Sequence, residues 1–294
     1  MNPPDAEKIP LAPLSKNLSA SVLAPQAPAR IGKICYMNSI PFYHRLTEFE
    51  FYEAVPAKLN AAMQDGRVDI APISSLEYLN HQKDYVLLPY FAIGSRDFSG
   101  SVLLLSKEKI EGLNGERIAL SRESLSSAAL LRILLRFRYK FENEFVTGDS
   151  NPEPMLAANK AALVIGDDAL FYQPKEFVYK YDLSELWWNW TGKPFCFALW
   201  AVRREFAEAR HEEVAEFSQR LRQNLIRNLV DIETLVKEAF GMTFMDERFP
   251  KVFVYLFNLT YTLDDSMREG LELFYRLAHR LGISPRPRTL EFFK

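Results

Sequence analysis

The strongest constraint on the fold is a series of three strand-to-helix transitions between residues 30 and 81. The apolar run IGKICY precedes Pro41, and FEFYEA precedes VPAKLNAAMQDG, which has apolar residues at helical spacing and stops at Gly66. The run VDIAPIS then leads into SSLEYLNH, where Ser74 and Glu77 have the spacing of a helix capping box. Three such transitions in succession indicate a largely parallel sheet covered by helices.

A second α/β pattern begins near Lys107, where IALSRES, SSAALLRILLRF, EFVTGDSNPEP, MLAANKA and ALVIGDDAL again alternate between strand and helix. The apolar strand FCFALWAVRR is expected to return and pair with SVLLLSK, and the chain from about Glu205 is expected to be helical. We predict an α/β fold with two lobes, two crossing strands and a central cleft. The larger lobe would contain residues 30–106 and 196–294, and the smaller lobe residues 107–195.

The first 29 residues are rich in proline and contain no apolar stretch long enough for a signal peptide or a membrane span. We therefore expect a disordered leader and a cytoplasmic protein. The 36 basic and 38 acidic residues give a formal charge of −2, and no basic block indicates nucleic acid as a partner. A small molecule is the expected ligand, with no membrane partner.

Two cysteines, Cys35 and Cys196, lie in apolar runs without the spacing of a metal site, and we predict buried free thiols. The sequence contains no Walker loop, GxGxxG, HExxH or GxSxG motif, which argues against nucleotide-binding, zinc-protease and serine-hydrolase functions.

The hexapeptide YMNSIP places Asn38 and Ser39 where the first strand should give way to a helix. Both residues commonly bond to the backbone of a turn, and Pro41 suits a first helical turn. The same place, beyond the carboxyl end of a strand, is where open α/β sheets bind small molecules. The hexapeptide alone leaves both interpretations open.

Small polar residues recur at other predicted strand ends and helix starts. Each hydroxyl could simply cap a helix, but helix N-termini also hold carboxylates without lysine or arginine, and serines at several of them fit an anionic ligand. Asp167 or its neighbour Asp168 could act as an acid or base, or could cap a helix. The expected ligand-binding residues, beside Asn38 and Ser101, are Ser39, Ser74, Ser75, Ser124, Ser126, Ser127, Thr147, Gly148 and Asp167.

With these residues assembled, the chain resembles the chorismate dehydratase family of the futalosine route to menaquinone. The resemblance covers roughly residues 30 to 290 and rests on RIGKICYMNSIPFYHRL, DGRVDIAPISSLEYL, ALVIGDDAL and WWNWTGKPFCFALWAVRRE, in this order. It implies the fold of type II periplasmic binding proteins, used as an enzyme. The asparagine of the family's N-x-x-P segment corresponds to Asn38, and its serine before the crossing strand to Ser101, so these are the catalytic candidates. The hydroxyl-rich segment corresponds to residues 124–127.

The implied reaction is the lyase-type loss of water from chorismate to give 3-[(1-carboxyvinyl)oxy]benzoate, and it requires neither a metal nor an organic cofactor. Two alternatives remain at this stage. A solute-binding protein for a small carboxylate would share the fold, because fold does not determine function. The sister dihydroxynaphthoate synthase is the other alternative, but its family presents a histidine base from the smaller lobe, and residues 107–195 contain no histidine.

Overall fold

The computed structural model describes residues 27–149, 151–176 and 178–294. The predicted disordered leader therefore lies, up to residue 26, outside the described residues. The strands are β1 (Ile31–Ile34), β2 (Phe51–Ala54), β3 (Ile70–Ser74), β4 (Tyr85–Ser95), β5 (Val102–Ser106), β6 (Arg117–Ser121), β7 (Glu144–Gly148), β8 (Ala161–Ile165), β9 (Tyr179–Asp182), β10 (Phe195–Arg203) and β11 (Leu259–Thr262).

Helices follow most of these strands. They are α1 (Ile40–Tyr43), α2 (Pro56–Gln64), α3 (Ser75–Asn80), α4 (Leu125–Ile133), α5 (Pro152–Ala158), α6 (Gly166–Phe171), α7 (Leu183–Thr191), α8 (Arg204–Ala209), α9 (His211–Val230), α10 (Ile232–Phe240), α11 (Phe249–Asn258) and α12 (Asp265–Arg280). Short 3-10 turns cover Met37–Ser39 and Ile110–Leu113, and a π-helical segment, Leu134–Tyr139, continues α4.

The strands form two mixed sheets. The larger sheet has the order β11-β4-β10-β3-β1-β2, and the smaller sheet has the order β7-β6-β8-β5-β9. Strand β1 is parallel to β2 and β3, while β10 is antiparallel to β3 and β4. In the smaller sheet β6 is parallel to β7 and β8, while β5 is antiparallel to β8 and β9. The predicted α/β class is confirmed.

The pairing predicted between β10 and the strand in SVLLLSK is wrong. Strand β10 lies between β3 and β4 of the larger sheet, whereas SVLLLSK forms β5, between β8 and β9 of the smaller sheet. Strand β5, expected to belong to the larger lobe, therefore pairs in the smaller sheet. Both strands are apolar on both faces, so their composition does not distinguish their partners.

The chain passes between the sheets in residues 96–101, from β4 to β5, and in residues 192–194, from α7 to β10. Helix α12 packs against β10 of the larger sheet and also contacts α4, which packs against β8 of the smaller sheet. One cluster of buried apolar side chains includes Ile73 of the larger sheet and Leu104 of the smaller sheet. The two sheets thus share a continuous core beside the crossings.

Two further expectations need correction. The segment after Glu205 is not wholly helical, because β11 interrupts it and pairs with β4. Cys196 is buried and free, as predicted, but Cys35 is exposed, because the chain leaves the sheet after Ile34 and carries the thiol out of the apolar layer.

Candidate active site

A cavity lies between the two sheets, and the space inside it, including the part open to solvent, is about 560 Å³. Its walls come from strand ends of both sheets and from the first turns of helices α2, α3, α4 and α6. The lining residues are Ile34, Tyr36, Asn38, Pro56, Ser74, Ile93, Ser101, Val102, Ser124, Ser127, Ile165, Gly166, Phe197, Ala198 and Leu259. These residues are neutral, and five of the predicted site residues are among them.

Asn38 lies in the 3-10 turn that follows β1 and lines the cavity. Its Oδ1 atom is buried and has no hydrogen-bond partner within the described residues. Ser39, the next residue, bonds to the backbone of the turn, the alternative interpretation of YMNSIP. Its hydroxyl donates to the carbonyl oxygens of Ile34 at 2.6 Å and Tyr36 at 3.0 Å. The Ser39 side chain is outside the cavity lining, so the expectation that it contacts ligand is not supported.

Ser74 and Ser75 also separate into two roles. Ser74 lines the cavity and caps α3, where its hydroxyl accepts the Glu77 N–H at 3.1 Å. The reciprocal half of the predicted capping box is absent, because the Ser74 N–H donates to Asn60 Oδ1 at 3.2 Å. Ser75 is fully buried, and its hydroxyl bonds to the Cys196 carbonyl at 2.8 Å.

The serines at the start of α4 also form two groups, those that line the cavity and one that bonds to the neighbouring helix. Ser124 caps the helix by accepting the Ser127 N–H at 3.1 Å, and both residues line the cavity. Ser126 points elsewhere: its hydroxyl accepts the Leu76 N–H at 3.0 Å and lies 2.9 Å from the Ser75 hydroxyl. Ser75 and Ser126 thus join α3 to α4 instead of lining the cavity.

Thr147 and Gly148 end β7, the edge strand of the smaller sheet, and Thr147 is exposed. Neither lines the cavity, because β6 and β8 lie nearer to it. Asp167 lies in the first turn of α6 and accepts the Met37 N–H at 3.2 Å, which links α6 to the turn carrying Asn38. Burial raises the pKa of Asp167 to about 6, with a smaller contribution from the charge of Asp168.

Tyr36 and its partners were not predicted from the sequence. The Tyr36 hydroxyl donates to Glu123, and its ring packs against Gly166 at the start of α6. A Cβ atom at Gly166 would lie 2.9 Å from that ring, and the residue has a φ of +69°, so glycine suits this position on both grounds. The position of Tyr36 within YMNSIP, two residues before Asn38, was the only signal available.

Two buried side chains hold the segment that carries Ser101, and neither was predicted. Asp182 accepts the N–H groups of Ser99 and Gly100 at 3.2 and 2.7 Å and also caps α7. Burial raises the pKa of Asp182, and these hydrogen bonds act in the opposite direction. The Tyr255 hydroxyl of α11 donates to Ser101 Oγ at 3.0 Å. The position of Ser101 thus depends on groups distant in sequence.

Within the described ranges, no group of three or more His, Cys, Asp or Glu side chains is placed to hold a metal ion. Over the same residues, none of the helices combines the length and the apolar character that a membrane crossing requires.

Comparisons with solved structures identify the fold. A protein of Archaeoglobus fulgidus superposes with a TM-score of 0.67 at 19% identity, covering 86% of this chain and 97% of that chain. The periplasmic aliphatic sulphonate binding protein of Escherichia coli gives a TM-score of 0.59 at 15% identity, covering 90% and 96%. The predicted periplasmic-binding-protein-like fold is confirmed.

Comparisons of sequence identify the family. The chorismate dehydratase of Thermus thermophilus is 31% identical over 275 residues, which cover 87% of this chain and 96% of that protein. A family model described as menaquinone biosynthesis matches residues 29–280. Because this match extends over most of the sequence, the chain belongs to the menaquinone biosynthesis family.

Proposed function

We propose that the protein is a chorismate dehydratase, a lyase that removes water from chorismate to give 3-[(1-carboxyvinyl)oxy]benzoate in menaquinone biosynthesis. The sequence similarity to the Thermus thermophilus enzyme supports this proposal. The observation that carries it is the cavity, where Asn38 and Ser101 lie together with the first turns of several helices. We further propose that the enzyme is cytoplasmic and that the two sheets form two lobes that close on the substrate.

The cavity suits a dicarboxylate although it is lined by neutral side chains. Helices α2 and α4, of nine residues each, begin at Pro56 and Leu125, beside the cavity. The first N–H groups of a helix have no partner within the helix and carry a partial positive charge, so they attract carboxylates. Ser124 and Ser127 add hydroxyls at the same end of α4. We assign one substrate carboxylate to this end.

The reaction is chemically favourable and makes modest demands on the protein. A base removes the hydrogen from the ether-bearing ring carbon, which is acidic because the electron pair released there can delocalise through the ring diene toward the carboxylate. The electron pair of that C–H bond forms a new ring double bond as the C–O bond to the adjacent hydroxyl breaks. The hydroxide takes up a proton and leaves as water, and the ring becomes aromatic. The protein must mainly orient the substrate and stabilise the leaving oxygen.

Asn38 and Ser101 supply complementary groups for that leaving hydroxyl. The buried Oδ1 of Asn38 can accept the substrate's O–H, and the Ser101 hydroxyl can donate to its oxygen. A serine of ordinary acidity is a poor base, and no histidine or lysine lines the cavity beside it within the described residues. We therefore assign the proton abstraction to water or to the side-chain carboxylate of the substrate, held close to the ring by the cavity.

Incubation of the purified protein with chorismate, followed by mass spectrometry and NMR, tests this function. A product lighter than chorismate by one water and carrying an aromatic ring is expected, and heat-denatured protein is the control. Binding of chorismate without turnover would instead support a solute-binding protein, which the fold alone also permits. Absence of both binding and turnover would contradict the proposal.

A further inference from the structure

Tyr255 of α11 is the hydrogen-bond partner of the Ser101 side chain. Its side chain is buried, with a relative exposure of 4%, and its hydroxyl donates to Ser101 Oγ at 3.0 Å. Ser101 lines the cavity, whereas Tyr255 does not. Burial raises the pKa of Tyr255, so the phenol keeps its proton and remains a donor.

This hydrogen bond determines what the Ser101 hydroxyl can do. A serine hydroxyl has one proton to donate and oxygen lone pairs that accept. Because Tyr255 supplies a donor to the oxygen, the Ser101 proton remains free for another acceptor. Within the described part of the chain, no protein acceptor takes that proton, and Ser101 faces the cavity. The ligand is therefore the acceptor available to it.

Asn38 lies on the same cavity as Ser101. Its side chain acts to lower the pKa of Tyr255, against the larger effect of burial. The buried Asn38 Oδ1 atom lacks a hydrogen-bond partner within the described residues. The cavity therefore presents an acceptor from Asn38 and a donor from Ser101 to the same ligand.

The main chain at Ser101 is held separately. Asp182 accepts the N–H groups of Ser99 and Gly100, and the Ser101 carbonyl accepts the Gly166 N–H at 2.8 Å. Loss of the Tyr255 hydroxyl would therefore free the Ser101 hydroxyl to rotate while its backbone stays in place.

We propose that Tyr255 is a positioning residue for the dehydration: its hydroxyl fixes the Ser101 hydroxyl as a donor to the leaving oxygen of the substrate. This inference rests on the proposed function. It also explains how a side chain from α11 of the larger lobe acts on the segment that connects the two sheets.

The test is a double-mutant cycle of Tyr255→Phe and Ser101→Ala, measured as kcat with chorismate. Tyr255→Phe keeps the ring and should lower kcat about two- to tenfold, the effect of one hydrogen bond. In the Ser101→Ala background the same change should have little further effect, because its target is absent. Binding of the reaction product, measured by calorimetry in the same four proteins, repeats the cycle if Ser101→Ala turns over too slowly.

Tyr261→Phe is the matched control. Tyr261 is also buried, and its hydroxyl donates to the Leu256 carbonyl at 2.9 Å, away from the cavity lining. It should change kcat less than twofold and act equally in both Ser101 backgrounds. If wild type converts chorismate but Tyr255→Phe costs the same with and without Ser101, the positioning role is overturned and the proposed function stands. Inactivity of wild type toward chorismate would overturn both.

Discussion

The Tyr36 hydroxyl donates a hydrogen bond to the Glu123 carboxylate, and this bond joins the two sheets across the cavity. Tyr36 follows β1 of the larger sheet, and Glu123 follows β6 of the smaller sheet. The Met37 N–H, bonded to Asp167 at 3.2 Å, provides a second link one residue further on. Both links must break if the sheets separate here, so they stabilise the closed arrangement.

Tyr36→Phe should weaken this closure while keeping the ring against Gly166. Loss of a hydrogen bond to a charged acceptor costs about 1.5 kcal/mol, which corresponds to roughly a tenfold rise in KM for chorismate if closure accompanies binding. We expect kcat to fall by less, because Asn38 and Ser101 keep their own contacts. Steady-state kinetics measures both constants.

Tyr43→Phe is the control for Tyr36→Phe. The buried Tyr43 hydroxyl donates to the Gly32 carbonyl at 3.2 Å, within the larger sheet. Its loss should lower stability without raising KM. Equal KM values for wild type and Tyr36→Phe would contradict a role of the Tyr36–Glu123 bond in retaining the substrate.

Asn38→Ala should reduce kcat by about one to three powers of ten, because Oδ1 would no longer orient the hydroxyl that leaves. Asn38→Asp keeps the shape but places a carboxylate in a cavity lined by neutral side chains, so it should also reduce turnover. Circular dichroism and thermal unfolding check that both variants remain folded. Near-normal turnover of a folded Asn38→Ala protein would remove this residue from the mechanism.

Local sequence signals predicted the parallel parts of the fold correctly. Gly66 after α2, the Ser74 cap of α3 and the Ser124 cap of α4 are set by neighbouring residues, so they can be identified without tertiary information. The pairing partners of individual strands could not be predicted from such local signals. Strand β4 carries Pro89 and a left-handed Tyr90, which interrupt its pattern, and the apolar strands β5 and β10 have no face that identifies a neighbour.

The same limit applies to the site. Asn38 stands beyond the carboxyl end of β1, where position indicates a ligand, while Ser101, just before β5, was selected by the family resemblance. Tyr255 lies in the apolar run FPKVFVYLFN, whose composition indicates a core helix, and it reaches Ser101 only through the tertiary fold. Ser39, Ser75 and Ser126 show the converse, because their composition resembles the cavity serines while their hydroxyls bond to the protein itself.

Asp167 should make stability depend on pH in mildly acidic solution. Its folded-state pKa of about 6 lies above the ordinary value of 3.8, mainly because of burial. Between these two pH values the folded protein keeps the Asp167 proton while the unfolded chain loses it. The stability that Asp167 contributes is therefore complete below about pH 4 and is lost as pH rises to about 6. Relative to Asp167→Asn, the unfolding free energy of wild type should fall by about 1 to 3 kcal/mol over this interval. Denaturant unfolding at several pH values measures it, and a difference independent of pH would refute the assignment.

Gly270→Ala should destabilise the second crossing between the sheets. Gly270 lies on α12 against the backbone of residues 193–194, and a Cβ atom there would lie 2.0 Å from the Pro194 carbonyl oxygen. Because that atom belongs to the backbone leading into β10, the helix or the crossing must shift, at a cost of about 1–3 kcal/mol.

Gly112→Ala is the control, since its Cβ would meet only the flexible end of Glu108, at 3.1 Å. Thermal unfolding should show a clear loss of stability for Gly270→Ala alone, and a movement of the crossing should also raise KM, because β10 continues into the cavity residues Phe197 and Ala198. Equal stability of the two variants would mean that α12 does not constrain the crossing.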